Sequence, residues 1–149
     1  MKIRQLDLSE LDRLTEGARE FFSESSVFRG EFNPETFSVF WKDVYVADLG
    51  TIFVLVNDAD EICAGIGCLA IPDFITGILA SNEAFWYARK QFRGRGFSLV
   101  PRYEQWALKR GCRKIRLVHL IDLMPDKLAR VYRKRGYSPI ETTWEKEVA

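Results

Sequence analysis

Glu83-Ala-Phe-Trp-Tyr-Ala-Arg-Lys-Gln-Phe-Arg-Gly-Arg-Gly-Phe-Ser98 is the stretch on which the fold of this chain depends. Phe85-Trp86-Tyr87 favours a strand. It runs into a basic, glycine-bearing turn, and Leu99, Val100, Tyr103, Trp106 and Ala107 mark an amphipathic helix behind that turn. The first N–H groups of a helix lack partners within the helix, so such a turn is a natural seat for phosphate. Gly94 and Gly96 allow the backbone to approach a ligand closely, and Arg93 and Arg95 add positive charge. Two readings stand side by side: a pyrophosphate seat, or a surface turn capped by glycines. A lone glycine motif does not decide between them.

With 149 residues the chain is expected to form one domain, 1–149. A chain of this length buries roughly 70% of its unfolded surface and needs no disulfide or metal to hold a core. Hydrophobic residues at 47% and charged residues at 29% describe an ordinary globular protein rather than a disordered or fibrous one. The net charge of +1 gives no global electrostatic case for nucleic acid and leaves only local basic clusters to weigh. Cys63, Cys68 and Cys112 lack metal-ligand spacing, so no metal is expected, and free thiols fit a reducing cytoplasm. The charged, alternating start Met1-Lys-Ile-Arg-Gln-Leu-Asp is unlike a signal peptide, and no apolar run reaches transmembrane length. The expected location is the cytoplasm, without membrane association.

Along the chain, residues 2–6 alternate weakly as a short strand. Ser9-Glu10-Leu11-Asp12 has capping-box spacing and starts a helix through Leu14, Ala18, Phe21 and Phe22 to about residue 22. A polar loop from Ser23 to Gly30 follows. Asn33-Pro34-Glu35 opens a second helix, in which Phe37, Phe40, Trp41 and Val44 share a face that either packs in the core or lines a pocket. Thr51–Val56 and Glu61–Ile71 read as a hairpin around Asn57-Asp-Ala-Asp60, with Gly65 and Gly67 marking a bulge or a close backbone approach. Residues 74–82 are ambiguous: Ile78-Leu-Ala80 extends a strand or covers a pocket. Lys114–Leu120 is a strand. A last helix spans about 126–135 with Gly136 as its cap, and Tyr137–Val148 holds two short strands. The order predicts a mixed α/β or α+β domain.

Two motifs in this frame resemble a known family. Gln91-Phe-Arg93-Gly94-Arg95-Gly96-Phe-Ser98, between a strand and a helix, resembles the acetyl-CoA signature of the GNAT N-acetyltransferases: Arg or Gln, two residues, Gly, one residue, Gly or Ala. Both Gln91-x-x-Gly94-x-Gly96 and Arg93-x-x-Gly96-x-Ser98 satisfy it, the second with Ser98 as a departure at the final small residue. Ala129-Arg-Val-Tyr132-Arg-Lys-Arg-Gly136-Tyr137 resembles the later family motif Ala-x-x-Leu-Tyr-x-x-x-Gly-Phe, and Trp144-x-Lys146 resembles its closing strand. Pro125 stands where the family often has Asn. Glu83-x-Phe-Trp-Tyr also resembles short members encoded by bacteriophages, for which the location would be the host cytoplasm.

The resemblance implies a GNAT-like, mostly antiparallel twisted sheet whose fourth and fifth strands splay apart, flanked by helices. It implies acetyl-CoA as cosubstrate, with pantetheine along the backbone of Trp86, Tyr87 and Ala88. The pyrophosphate would lie on the amides of Arg93, Gly94, Arg95, Gly96, Phe97 and Ser98. The reaction would be direct attack by a primary amine of an unidentified acceptor, a small molecule or a protein. Tyr132 matches the position that protonates the departing sulfur; its alternative role is packing. Glu83, sharing strand parity with Phe85 and Tyr87, leads as general base, ahead of His119 and Glu141; the alternative for Glu83 is an exposed strand-end acid. Two other classes compete: a non-catalytic acyl-CoA-binding module, and a nucleic-acid binder using Arg89, Lys90, Arg93, Arg95 and Arg102 with Arg130, Arg133, Lys134 and Arg135. A homodimer is compatible with all of these.

Overall fold

Thr51-Ile-Phe-Val-Leu-Val56 shows no polar alternation, which is the pattern of a strand covered on both faces. A computed structural model describes residues 1–28 and 31–148 of the chain. In it this run lies in β2 (Gly50–Val56), where every residue after Gly50 is buried. Ile52, Val54 and Val56 pack to one side of the sheet and Phe53 and Leu55 to the other.

The sheet has five strands in sequential order: β1 (Lys2–Gln5), β2, β3 (Ile62–Pro72), β4 (Leu79–Ala88) and β5 (Lys114–Arg116). The first four pair antiparallel, and β5 lies parallel to β4. Helices α1 (Leu11–Glu24) and α2 (Pro34–Val46) cover the face of Ile52 and Val54 with Leu14, Ala18, Phe22, Trp41 and Val44. Helix α3 (Leu99–Lys109) covers the other face with Leu99, Tyr103 and Ala107. Burying a side chain such as Leu14 stabilises the fold by about 1.5–3 kcal/mol. The chain divides into two compact units, residues 1–118 and the remainder from His119 on, and α4 (Pro125–Lys134) belongs to the second. The expected mixed, mostly antiparallel sheet flanked by helices is what forms.

Several local expectations are refined. The capping box belongs to Asp7 and Glu10, not to Ser9 and Asp12, and it caps a 3-10 turn ahead of α1 rather than α1 itself. Asp7 accepts from the Ser9 amide at 2.8 Å, and Glu10 reaches back to the Asp7 amide at 3.3 Å. A 3-10 turn at Leu8–Glu10 therefore precedes the α-helix proper. The Asn33 cap on α2 forms as expected, accepting from the Thr36 amide at 2.9 Å. The ambiguous 74–82 segment resolves into a turn and the start of β4 at Leu79. Arg29 and Gly30, at the end of the expected loop, lie outside the described residues.

Two strand expectations fail. The fifth strand stops at Arg116 rather than Leu120, and the Val118 amide beyond it donates to the Glu83 side chain. Residues 137–148 form neither a helix nor a strand, and Trp144 is 91% exposed. A strand's hydrogen bonds come from a neighbour, so β-favouring residues alone do not make one.

Candidate active site

The β3–β4 ladder slips at one point. Gly67 faces Phe85 and Cys68 faces Glu83, which leaves Ala84 without a counterpart. This is a β-bulge, a device that re-aims side chains along a strand. Paired residues share a face, so Glu83 lies with Cys68 and Ser81 on the α3 side, while Phe85 and Tyr87 point toward α1 and α2. Simple alternation groups Glu83 with Phe85 and Tyr87; the bulge breaks that parity. Gly67 makes room for the rings on the α1–α2 side: a Cβ there would lie 2.3 Å from Trp41 and 2.4 Å from Phe85.

Strands β4 and β5 part company just where the bulge falls. Their ladder pairs Ala80 with Lys114, Ser81 with Ile115 and Asn82 with Arg116, and it ends there while β4 runs on to Ala88. Glu83 stands at this fork. It is half-buried, and its Oε2 accepts the Val118 N–H at 2.9 Å. Burial pushes its carboxyl up to about 7, against the opposite pull of the Val118 hydrogen bond. Tyr87 is buried on the α1 side and donates to the Leu14 carbonyl at 3.1 Å. Burial holds its phenol protonated well above the ordinary tyrosine range, so Tyr87 is a structural residue there.

Beyond Ala88 the glycine turn is built from two short 3-10 segments, Lys90–Phe92 and Arg95–Ser98, before α3 begins at Leu99. Its two glycines do different work. Gly94 adopts φ +91°, in the left-handed region that favours glycine. Gly96 is buried, and a Cβ there would lie 3.1 Å from the Cβ of Ala88. The Trp86 indole donates to the Gly96 carbonyl at 3.3 Å, and its ring meets Phe97 edge-on at 5.1 Å. Trp86, Ala88, Gly96 and Phe97 thus come together and tie the turn to the end of β4. Ser98 donates to the Arg95 carbonyl at 2.7 Å. An open groove of about 590 Å³ runs beside the turn, lined by Met1, Ile3, Leu55, Gly94, Arg95 and Ser98.

The cations of the turn are partly matched. Arg93 pairs with Glu24 at 2.5 Å, and Arg89 approaches Glu16 at 4.0 Å, both acids lying on α1. Sequence reasoning missed Glu24 and the Val118 amide. The only signal for Glu24 was an acid at the end of a helix; the amide gave none.

In the second unit, Tyr132 is buried on α4, whose first residue is Pro125 and whose C-terminal Gly136 adopts φ +88°. The rings of Tyr132 and His119 lie 6.2 Å apart and nearly parallel at 12°, and Tyr137 packs on Tyr132 at 6.0 Å. His119 and Glu141 are both exposed. Among the described residues no cluster of His, Cys, Asp or Glu is arranged to hold a metal ion, and no helix is long and apolar enough to cross a membrane.

A model of the acetyltransferase (GNAT) family matches residues 11–137. No curated protein matches the chain by sequence. Among solved structures, the chain resembles glucosamine-6-phosphate N-acetyltransferase from Arabidopsis thaliana at 20% identity and a TM-score of 0.72, covering 99% of this chain and 98% of that one. It also resembles aminoglycoside 6'-N-acetyltransferase from Acinetobacter haemolyticus at 13% identity and a TM-score of 0.73, covering 100% of both chains. A third is the ribosomal-protein-alanine N-acetyltransferase from Brucella melitensis, at 13% identity and a TM-score of 0.72, covering 99% of this chain and 100% of that one. At these identities the likeness is one of fold. The three names carry three different acceptors: a sugar phosphate, an aminoglycoside and a protein.

Proposed function

The chain belongs to the acetyltransferase (GNAT) family, and we propose that it transfers an acetyl group from acetyl-CoA to a primary amine by direct attack, as a single GNAT-like domain. The observation that carries the cosubstrate assignment is the 93–98 turn. Gly94 takes a left-handed conformation, Gly96 packs where a Cβ would press on Ala88, and Arg93 and Arg95 flank them. Backbone amides with two guanidinium groups suit a diphosphate, and no metal is required. The end of the β4–β5 ladder at Asn82 supports pantetheine along Trp86, Tyr87 and Ala88.

Glu83 is the proposed base. Near neutral pH its carboxylate can accept a proton from the nitrogen of a neutral amine as that nitrogen bonds to the acetyl carbon, directly or through water. The nitrogen–carbon bond forms, the carbon–sulfur bond breaks, and the amine proton goes to Glu83. The proton for the departing thiolate comes from the hydroxyl of Tyr132, a role assigned from the family motif; Glu83 then gives its proton to solvent and Tyr132 takes one back. A nucleic-acid reading has the near-neutral net charge of +1 against it.

The test is release of free CoA thiol from acetyl-CoA in the presence of amines of three kinds: aminoglycosides, amino sugars and peptides with free N-termini. Amine-dependent thiol release with one of these supports the assignment; a protein that binds acetyl-CoA yet acetylates nothing favours the non-catalytic module. With an acceptor in hand, Tyr132→Phe is expected to lower kcat by about a hundredfold. Affinity for acetyl-CoA should hardly change, because the ring packing on His119 and Tyr137 is kept. Turnover at the parent rate would make Tyr132 a packing residue.

A further inference from the structure

Arg93 is the cation that the motif assigns to the diphosphate, and in the structure it already has a partner. Its Nη2 lies 2.5 Å from Oε2 of Glu24, and the two side chains are 29% and 32% exposed. Glu24 is the last residue of α1, at the negative pole of the helix dipole, where a carboxylate is unfavourable; the last turn carries no basic residue to offset it. Glu16, Glu20 and Glu24 also recur at four-residue spacing along this helix, an arrangement of like charges that costs a helix stability. The helix gains nothing from Glu24 by itself. What the acid does is hold the guanidinium of a residue far away in sequence, in the glycine turn.

We propose that Glu24 is a built-in competitor for the phosphate groups of the cosubstrate: it occupies Arg93 in the free protein and yields it when the diphosphate arrives. The inference rests on the 93–98 turn as the diphosphate seat. Carboxylate and phosphate oxygens accept from the same guanidinium N–H groups, and the diphosphate brings more charge and more oxygens to them. It therefore displaces Glu24, but its net affinity is lowered by the pair it must break.

The experiment is calorimetric titration of acetyl-CoA into the full chain, its Glu24→Gln and Arg93→Ala variants and the double variant. Glu24→Gln keeps the side-chain shape and removes the charge, so it should bind about 1.5- to 5-fold tighter, the range of an exposed ion pair. Arg93→Ala should bind more weakly. In the Arg93→Ala background, Glu24→Gln should change nothing, because the cation it competes for is gone. Parent-like or weaker binding by Glu24→Gln, or the same gain with Arg93 absent, overturns the proposal while leaving the diphosphate seat intact. No binding by the parent chain overturns the seat and the proposal together.

Discussion

Gly96→Glu is expected to abolish acetyl-CoA binding while the protein remains folded. A Cβ at this position lies 3.1 Å from the Cβ of Ala88, so even the first added atom makes the turn shift by a few tenths of an ångström. Four further heavy atoms find no room between the turn and β4, so they displace the turn and add a negative charge to the segment proposed to hold the diphosphate. Bulk and repulsion act in the same direction. Gly96→Ala separates them, since it adds the crowding without the charge and should weaken binding only modestly. Ligand binding stabilises the folded state by mass action, by about 2.7 kcal/mol at a hundred times the dissociation constant, and so raises the unfolding midpoint. In a thermal melt the parent should therefore shift upward with acetyl-CoA, Gly96→Ala less so, and Gly96→Glu not at all. A full shift in Gly96→Glu would mean that the phosphates lie elsewhere.

Glu83→Gln is expected to remove most of the turnover and the rising limb of the pH profile. In the parent, activity should increase through about pH 7, as the carboxyl loses its proton and becomes able to accept one. The variant has no group to titrate there, so its residual rate should be flat across that range. Stability should move in the opposite sense. The carboxyl holds its proton more tightly in the folded protein than in the unfolded chain, so its contribution is complete below about pH 4.5 and declines as pH rises through about 7. Melts of parent and variant should therefore diverge between those values and run parallel above them. An unchanged rate limb in the variant would leave Glu83 with a structural task, closing the fork between β4 and the Val118 amide.

Legibility followed physical locality. The Asn33 cap, the Asn57–Asp60 turn and the glycine after α4 were readable because each is a conformational preference of a few adjacent residues. The strands β2 and β3 were readable because burial on both faces leaves an uninterrupted apolar run. The bulge at Ala84 was not, because it is a property of two strands in register, and only the pairing of Gly67 with Phe85 and Cys68 with Glu83 reveals it. For the same reason alternation placed Glu83 on the wrong face. Past the early end of β5, the Val118 amide is taken by a side chain distant in sequence. The closing strands expected after Tyr137 failed because β propensity is conditional on an edge to join. In the turn, Gly94 was legible from its conformation, whereas the burial of Gly96 against Ala88 and the engagement of Arg93 by Glu24 are tertiary facts.

The most direct measurement of the central claim is a titration of acetyl-CoA into isotopically labelled protein, followed through its backbone amide resonances. The largest shifts should fall on residues 93–98 and on Trp86, Tyr87 and Ala88, while the hairpin turn at Asn57–Asp60 stays still. Absence of change at residues 93–98 at millimolar acetyl-CoA, or shifts centred on another part of the chain, would contradict it.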